Sequence, residues 1–213
     1  MMVISPIDPS SRGHKKREKT RNQLISAALR VFGEKGEALT VSDVVAEAGV
    51  SNGTFYNYFV DRDQLFDVLA EHLVSVLAVQ AAVEIEGEDA ALRFATVSAR
   101  VIARAAEDPT WGTIVLRLGA LRADVRDQVT RYMREDLEQG YAQGRFEVGA
   151  DAVIVDLVAA TLLIAIRRIV EGRGSLEYIV GALSRVLRAL GVPKDEIRGI
   201  AEQAVADGGL VLD

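Results

Sequence analysis

Asn52, Gly53, Thr54, Tyr56, Asn57 and Tyr58 lie together in the stretch AGVSNGTFYNYF, Ala48 to Phe59. Carboxamides and hydroxyls at this density suit hydrogen bonding to a polar polymer, not bond making. No histidine, carboxylate or cysteine stands among them. A carboxamide donates and accepts at once, which matches what a base edge presents in the major groove of DNA. Hydroxyls match phosphate oxygens.

A helical wheel at about 100° per residue sorts the stretch by direction. With Phe55 set inward, Phe59 falls about 40° away and packs on the same side. Gly53 and Asn57 then point outward, and Thr54 and Tyr56 flank them. Tyr58 sits nearer the core edge, its hydroxyl able to reach out. The outer face is small, polar and nearly uncharged. Gly53 admits a phosphate or groove wall at close range. Asn57, with Asn52 at the first turn, is placed for base edges. Thr54, Tyr56, Tyr58 and the free N–H groups of the helix start are placed for phosphates.

Such a face needs elements to hold it, and three helix starts in a row supply them. Thr40, Ser51 and Asp61 are N-cap residues. Each has an apolar residue just before it and another four positions after it: Leu39 and Val44, Val50 and Phe55, Val60 and Leu65. That is the hydrophobic-staple pattern. Asp43 and Gln64 stand at the third position after Thr40 and Asp61, as in a capping box. The middle helix has room for about eight residues. Gly49 falls where the helix before it must end, a position that favours positive φ. Upstream, Leu24, Ile25, Ala28, Leu29 and Phe32 recur at helical spacing and predict a first helix from about Glu18 to Lys35, closed by Gly36. The order is that of a helix-turn-helix.

Charge agrees once it is located. The net charge of the 213-residue chain is −6, but residues 1–62 hold nine Lys/Arg against seven Asp/Glu, and the acidity belongs to the rest. SRGHKKREKTR, Ser11 to Arg21, carries six Lys/Arg, among them Lys15, Lys16 and Arg17. This arm can bind phosphates electrostatically.

Enzyme chemistry finds little support. There is no cysteine, and the two histidines, His14 and His72, sit in unrelated contexts. No P-loop, GxGxxG, HExxH or CxxC occurs. The carboxylates of EIEGED, Glu84 to Asp89, form a polar break with no nucleophile beside them. No catalytic residue, metal or cofactor is expected. The longest apolar run, Val153 to Ile166, has 14 residues including Asp156, short of the ~20 of a membrane span. The first ten residues lack a basic and an apolar leader region, so a soluble, cytoplasmic protein is expected.

The segment Thr20 to Leu65 resembles the DNA-binding domain of TetR-family transcriptional regulators. The resemblance rests on Thr20, Ala27-Ala28, Phe32, Gly36, Thr40-Val41, Asp43-Val44, AGVS (Ala48 to Ser51), GTFY (Gly53 to Tyr56), Phe59 and Leu65. It implies that Thr40, Ser51 and Arg62 join the DNA-facing set. Three residues depart from the family pattern. Asn52 stands where Lys is frequent, so base preference does not transfer. Arg62 replaces Lys and keeps the charge. Val45 replaces Ala and implies altered packing between the second and third helices.

The rest of the chain predicts helices throughout, nine to ten in total. The fold class is therefore all-α, a three-helix DNA-binding domain followed by a larger helical domain. The expected division is a basic, flexible arm at 1–17, the helix-turn-helix at 18–60, and an effector-binding and dimerisation domain at 61–213. Pro193 is expected to open the last helix. The resemblance implies a ligand pocket among helices four to seven, with Phe94, Ile102, Trp111, Ile114, Val115, Leu118, Val129 and Met133 as candidates; each is equally explained by core packing. It also implies a homodimer through the eighth and ninth helices, with Leu157, Leu162, Ile166, Ile179, Leu183, Val186 and Leu187 as the contact candidates. A dimer has its own physical motive: one short recognition helix reads few base pairs, and a two-fold axis doubles them on a near-palindromic site. The expected function is a repressor released from double-stranded operator DNA by a small molecule. A constitutive DNA-binding regulator with no effector is the alternative, favoured if the core around Trp111 is filled.

Overall fold

The computed structural model describes residues 12–81, 89–121 and 123–212. Ten α-helices occur among them: α1 (Arg12–Lys35), α2 (Val41–Ala48), α3 (Asn52–Tyr56), α4 (Arg62–Ala81), α5 (Ala90–Glu107), α6 (Pro109–Leu121), α7 (Ala123–Ala142), α8 (Ala152–Val170), α9 (Leu176–Ala189) and α10 (Ile197–Asp207). A 3₁₀ turn, Gly36–Ala38, follows α1. Among the described residues no helix is long and apolar enough to cross a membrane. The chain forms two compact units, Met1–Glu71 and His72–Asp213. The division falls inside α4, not ahead of it.

In the first unit the caps form as the sequence predicts. Thr40 and Asp43 exchange bonds in a full capping box at the start of α2. The Asp61 carboxylate accepts from the N–H of Gln64 at 2.8 Å, and the Gln64 side chain reaches back to the N–H of Val60 at 2.7 Å. Leu24, Ala27, Ala28, Phe32, Leu39, Val44, Leu65 and Leu69 are wholly buried and form one core.

Three boundaries differ from expectation. α1 starts at Arg12, ahead of Glu18. Lys15, Lys16 and Arg17 therefore ride on its first turns and do not form a flexible arm, because Lys and Arg are good helix formers despite their charge. α3 has five residues, not eight; Asn57 and Tyr58 continue as a turn. α10 begins at Ile197, because Pro193 opens a turn closed by the N–H of Glu196 on its carbonyl. EIEGED lies outside the described residues except for Asp89, which caps α5.

The second unit is built around α5, which packs against α6, α7, α8, α9 and α10. Contact on so many sides requires small side chains, and Ala90, Ala91, Ala95, Ala99, Ala103 and Ala105 are all buried. Arg145 ties the α7–α8 connection to both ends of the unit. Its guanidinium donates to the Asp89 carboxylate at 2.8 and 3.1 Å and to Glu196. Arg145 holds the Asp89 carboxyl below the usual carboxylate range. In the same connection Phe146 is buried edge-on to Phe94, with ring centroids 6.1 Å apart.

Phe146 fits only because α7 carries Gly140 beneath it. A Cβ there would stand 2.2 Å from the ring edge. Gly140→Ala gains about 1 kcal/mol of helix propensity. Overpacking a buried ring costs about 1–3 kcal/mol, and at this distance the clash wins. The variant is expected to be less stable by about 1 kcal/mol in urea unfolding followed by circular dichroism. Equal or higher stability would show that the ring moves freely.

Candidate nucleic-acid interface

The turn that aims α3 is a Schellman motif. Gly49 takes φ 65 and ψ 35. Its N–H bonds the carbonyl of Ala46, and the N–H of Val50 bonds that of Val45 at 3.0 Å. Any side chain at Gly49 would strain this left-handed conformation. Gln23 on α1 donates to the free carbonyl of Ala48 at 2.6 Å, so the end of α2 is satisfied from a second helix. Ser51 then caps α3, its hydroxyl accepting from the N–H of Thr54 at 3.1 Å.

Phe55 and Phe59 are buried with ring centroids 5.2 Å apart. The opposite face is open. Asn52, Gly53, Tyr56 and Asn57 are exposed, Tyr56 by 59%. Thr54 and Tyr58 are partly covered. The Thr54 hydroxyl lies 3.0 Å from that of Ser51. Arg17 of α1 stacks over the Tyr58 ring at 5.9 Å, which joins the basic turns of α1 to the α3 face. Lys15 and Lys16 are exposed beside it.

Two residues of the DNA-facing set have work inside the protein. The Thr40 hydroxyl is 2.8 Å from Asp43 in the capping box. Arg62 donates to the carbonyls of Glu37 and Leu39 at 3.3 and 3.4 Å and lies over the Phe66 ring. It closes the chain end left open after α1. Lys35–Asp43 and Arg30–Glu47, both at 2.6 Å, bind α1 to α2. The partnerships of Arg62, Lys35 and Arg30 are not visible in the spacing of a single helix.

The second unit contains a cavity of about 130 Å³. Phe94, Val115 and Met133 line it. Ile102, Trp111, Ile114 and Leu118 are buried elsewhere in the core, and the side chain of Val129 lies outside the described residues. The remaining walls come from Leu77 of α4, from Val97, Ser98 and Val101 of α5, from Thr130, Tyr132 and Asp136 of α7, and from α8. Asp136 is the feature sequence reasoning missed. It is buried, and its Oδ1 accepts from Arg93 of α5. Burial outweighs the Arg93 charge and pushes the Asp136 carboxyl up.

Residues 24–69 match the model of the bacterial regulatory proteins, tetR family, and residues 89–203 match that of the Tetracyclin repressor-like C-terminal domain. The chain belongs to the TetR family. It is a transcriptional regulator with a helix-turn-helix DNA-binding domain. It is 39% identical over 54 residues to the HTH-type transcriptional regulator YvdT of Bacillus subtilis, covering 25% of this chain and 28% of that protein. It is 36% identical over 80 residues to the HTH-type transcriptional repressor LfrR of Mycolicibacterium smegmatis, covering 36% of this chain and 42% of that one. These matches thus span less than half of either relative. A crystal structure of RolR in complex with resorcinol is similar over 89% of this chain and 96% of that chain, at 28% identity and a TM-score of 0.66.

The dimer contacts inferred from the TetR resemblance need correction. Ile166, Ile179, Leu183, Val186 and Leu187 are each at most 2% exposed within one chain, beyond reach of a partner. Leu162 is partly buried and lines the cavity. Beyond the exposed Leu176, the stripe of α9 packs on α10, α8 and α5. Of the seven, only Leu157 is an exposed large apolar residue, at 41%, joined on α8 by Val153 and Ile164. An apolar helix seen alone does not reveal which side its own chain covers.

The capping box carries a pH signature. Lys35, then Thr40, hold the Asp43 carboxyl below its usual value. A depressed folded-state pKa contributes stability that is present above the unfolded value and lost as pH falls through the folded one. Asp43→Asn should therefore destabilise the protein most near neutrality. The difference from wild type should shrink as pH drops below about 4 in urea unfolding. A pH-independent difference would rule out this ionic origin.

Proposed function

We propose that the protein is a homodimeric repressor that a small molecule releases from a near-palindromic operator. One observation carries this reading above all: α4 serves both units. Leu65 and Leu69 complete the core beneath the helix-turn-helix, and Leu77, farther along the same unbroken helix, lines the cavity. A ligand that displaces Leu77 moves α4 and with it the seating of the DNA-binding domain. It acts only through its differential affinity for the two states.

In this reading the two α3 faces enter successive major grooves. Asn57 and Asn52 address base edges, while Tyr56, Tyr58 and Thr54 address phosphates. Lys15, Lys16 and Arg17 add electrostatic attraction. The repressor name of LfrR supports repression, and the ligand in the RolR crystal supports a small-molecule effector. Trp111 is packed away from the cavity, under Arg104. The space beside Asp136 nonetheless remains, which favours the effector over the constitutive alternative. For the dimer, Val153, Leu157 and Ile164 lie at heptad-like spacing along the outer face of α8.

Asn57→Ala is expected to change sequence preference when bound DNA is selected from genomic fragments. Tyr56→Phe should weaken binding evenly across sequences, by a factor of about 5–10 for one phosphate bond. If neither affects operator affinity, the assigned face is wrong. Sedimentation should give twice the chain mass at micromolar concentration, and Leu157→Glu should shift it toward the monomer. A wild-type monomer would overturn the dimer.

A further inference from the structure

Resting on the reading of the cavity as the effector site, we propose that its ligand is an uncharged, single-ring aromatic bearing a hydroxyl group that hydrogen-bonds Asp136. Size sets the ring count. At about 130 Å³ the cavity is close to the ~150 Å³ engineered cavity, lined by Leu, Ile and Phe, that holds benzene. The walls set the character of the ring. Phe94, Val101, Val115, Met133 and Leu162 offer dispersion contacts and no charge.

Asp136 sets the polar group. Of the three other polar side chains on the wall, Ser98 donates to the carbonyl of Phe94 at 2.8 Å, Thr130 donates to that of Asp127 at 3.3 Å, and the Tyr132 hydroxyl accepts from Arg131 at 3.5 Å. Asp136 accepts from Arg93 through Oδ1, and a carboxyl group has capacity for further hydrogen bonds beyond that one. Asp136 is buried on the cavity wall, where a ligand hydroxyl that reaches it gains a hydrogen bond to a charged group. A hydroxyl donates to the carboxylate and equally accepts from the carboxylic acid, so it serves Asp136 in either form.

The Arg93–Asp136 pair sets the charge. The pair is neutral in sum, so the cavity offers no free cation to a carboxylate and no free anion to an amine. Either ion would lose its hydration without compensation. A phenol meets every condition.

The test is isothermal titration of the full chain with phenol, toluene, benzoate and 2-naphthol. Phenol is expected to bind about tenfold or more tighter than toluene, the value of a hydrogen bond to a charged group. Benzoate and 2-naphthol should show no binding. Asp136→Leu should bring the phenol-to-toluene ratio near one, a change that general loosening of the fold does not produce. Ala159→Phe, which fills the cavity from α8, should abolish phenol binding while the free protein keeps its operator affinity. Equal binding of phenol and toluene, tighter binding of benzoate, or no binding of phenol would overturn the ligand class. Operator release is measured separately. Phenol bound without release supports the ligand class and removes the release mechanism. Release by a charged or multi-ring compound, with phenol unbound, does the reverse.

Discussion

A helix of five residues cannot hold itself, and the surface proposed to face DNA is carried by one. Nucleating a helical turn costs more than five residues return, so α3 exists only because Phe55 and Phe59 are buried beneath it. The first unit can be understood as the socket for those two rings. Leu24, Phe32, Leu39 and Val44 form it from α1, α2 and the turn between them, and Leu65 and Leu69 close it from α4. Polar groups then fix the entry and exit angles. The Schellman turn at Gly49 directs the chain, Ser51 caps the new helix, and Gln23 and Arg62 satisfy carbonyls that the helix ends leave open. With the holding done from inside, Asn52, Tyr56 and Asn57 remain uncommitted to the fold. That freedom is what a recognition surface requires.

The second unit follows a different constraint. α5 is surrounded, and its alanines let the neighbouring helices approach closely. Where larger residues replace them, at Phe94, Val97 and Val101, packing stops short of filling the space and the cavity appears. The ion pair of Arg93 with Asp136 stands at its edge. Such a pair is weak support for stability, because desolvation of both charges offsets their attraction. Its place beside an apolar void leaves a charged group on the wall, which is what the proposed ligand contact relies on.

α8 mediates between the inside and the outside. Val155, Val158, Ala165 and Ile166 complete the core, while Val153, Leu157 and Ile164 face away from it. α9 leaves less: Leu176 at its start is exposed, but Ile179, Leu183, Val186 and Leu187 are spent on its own chain. The two helices therefore differ in what they leave for a partner, although both are rich in leucine, isoleucine and valine.

Local physics was legible in the sequence. Caps at Thr40, Ser51 and Asp61, the glycine stop at Gly49, and the inward and outward division of Phe55 against Asn57 all depend on residues within five positions of each other. Wheel and cap rules suffice at that range, and the motif order was enough to carry the family. Contacts between segments distant along the chain were not legible. Arg93 and Asp136 stand 43 positions apart, and Arg145 and Asp89 stand 56 apart. The cavity walls come from five helices, α4 to α8. Nor could the sequence say which apolar residues of α8 and α9 the chain would cover. A side chain's neighbours within its own helix follow from 3.6 residues per turn, but its neighbours across helices follow from how all the helices pack at once. That joint packing, decided only in three dimensions, set the cavity, its carboxylate and the uncovered face of α8.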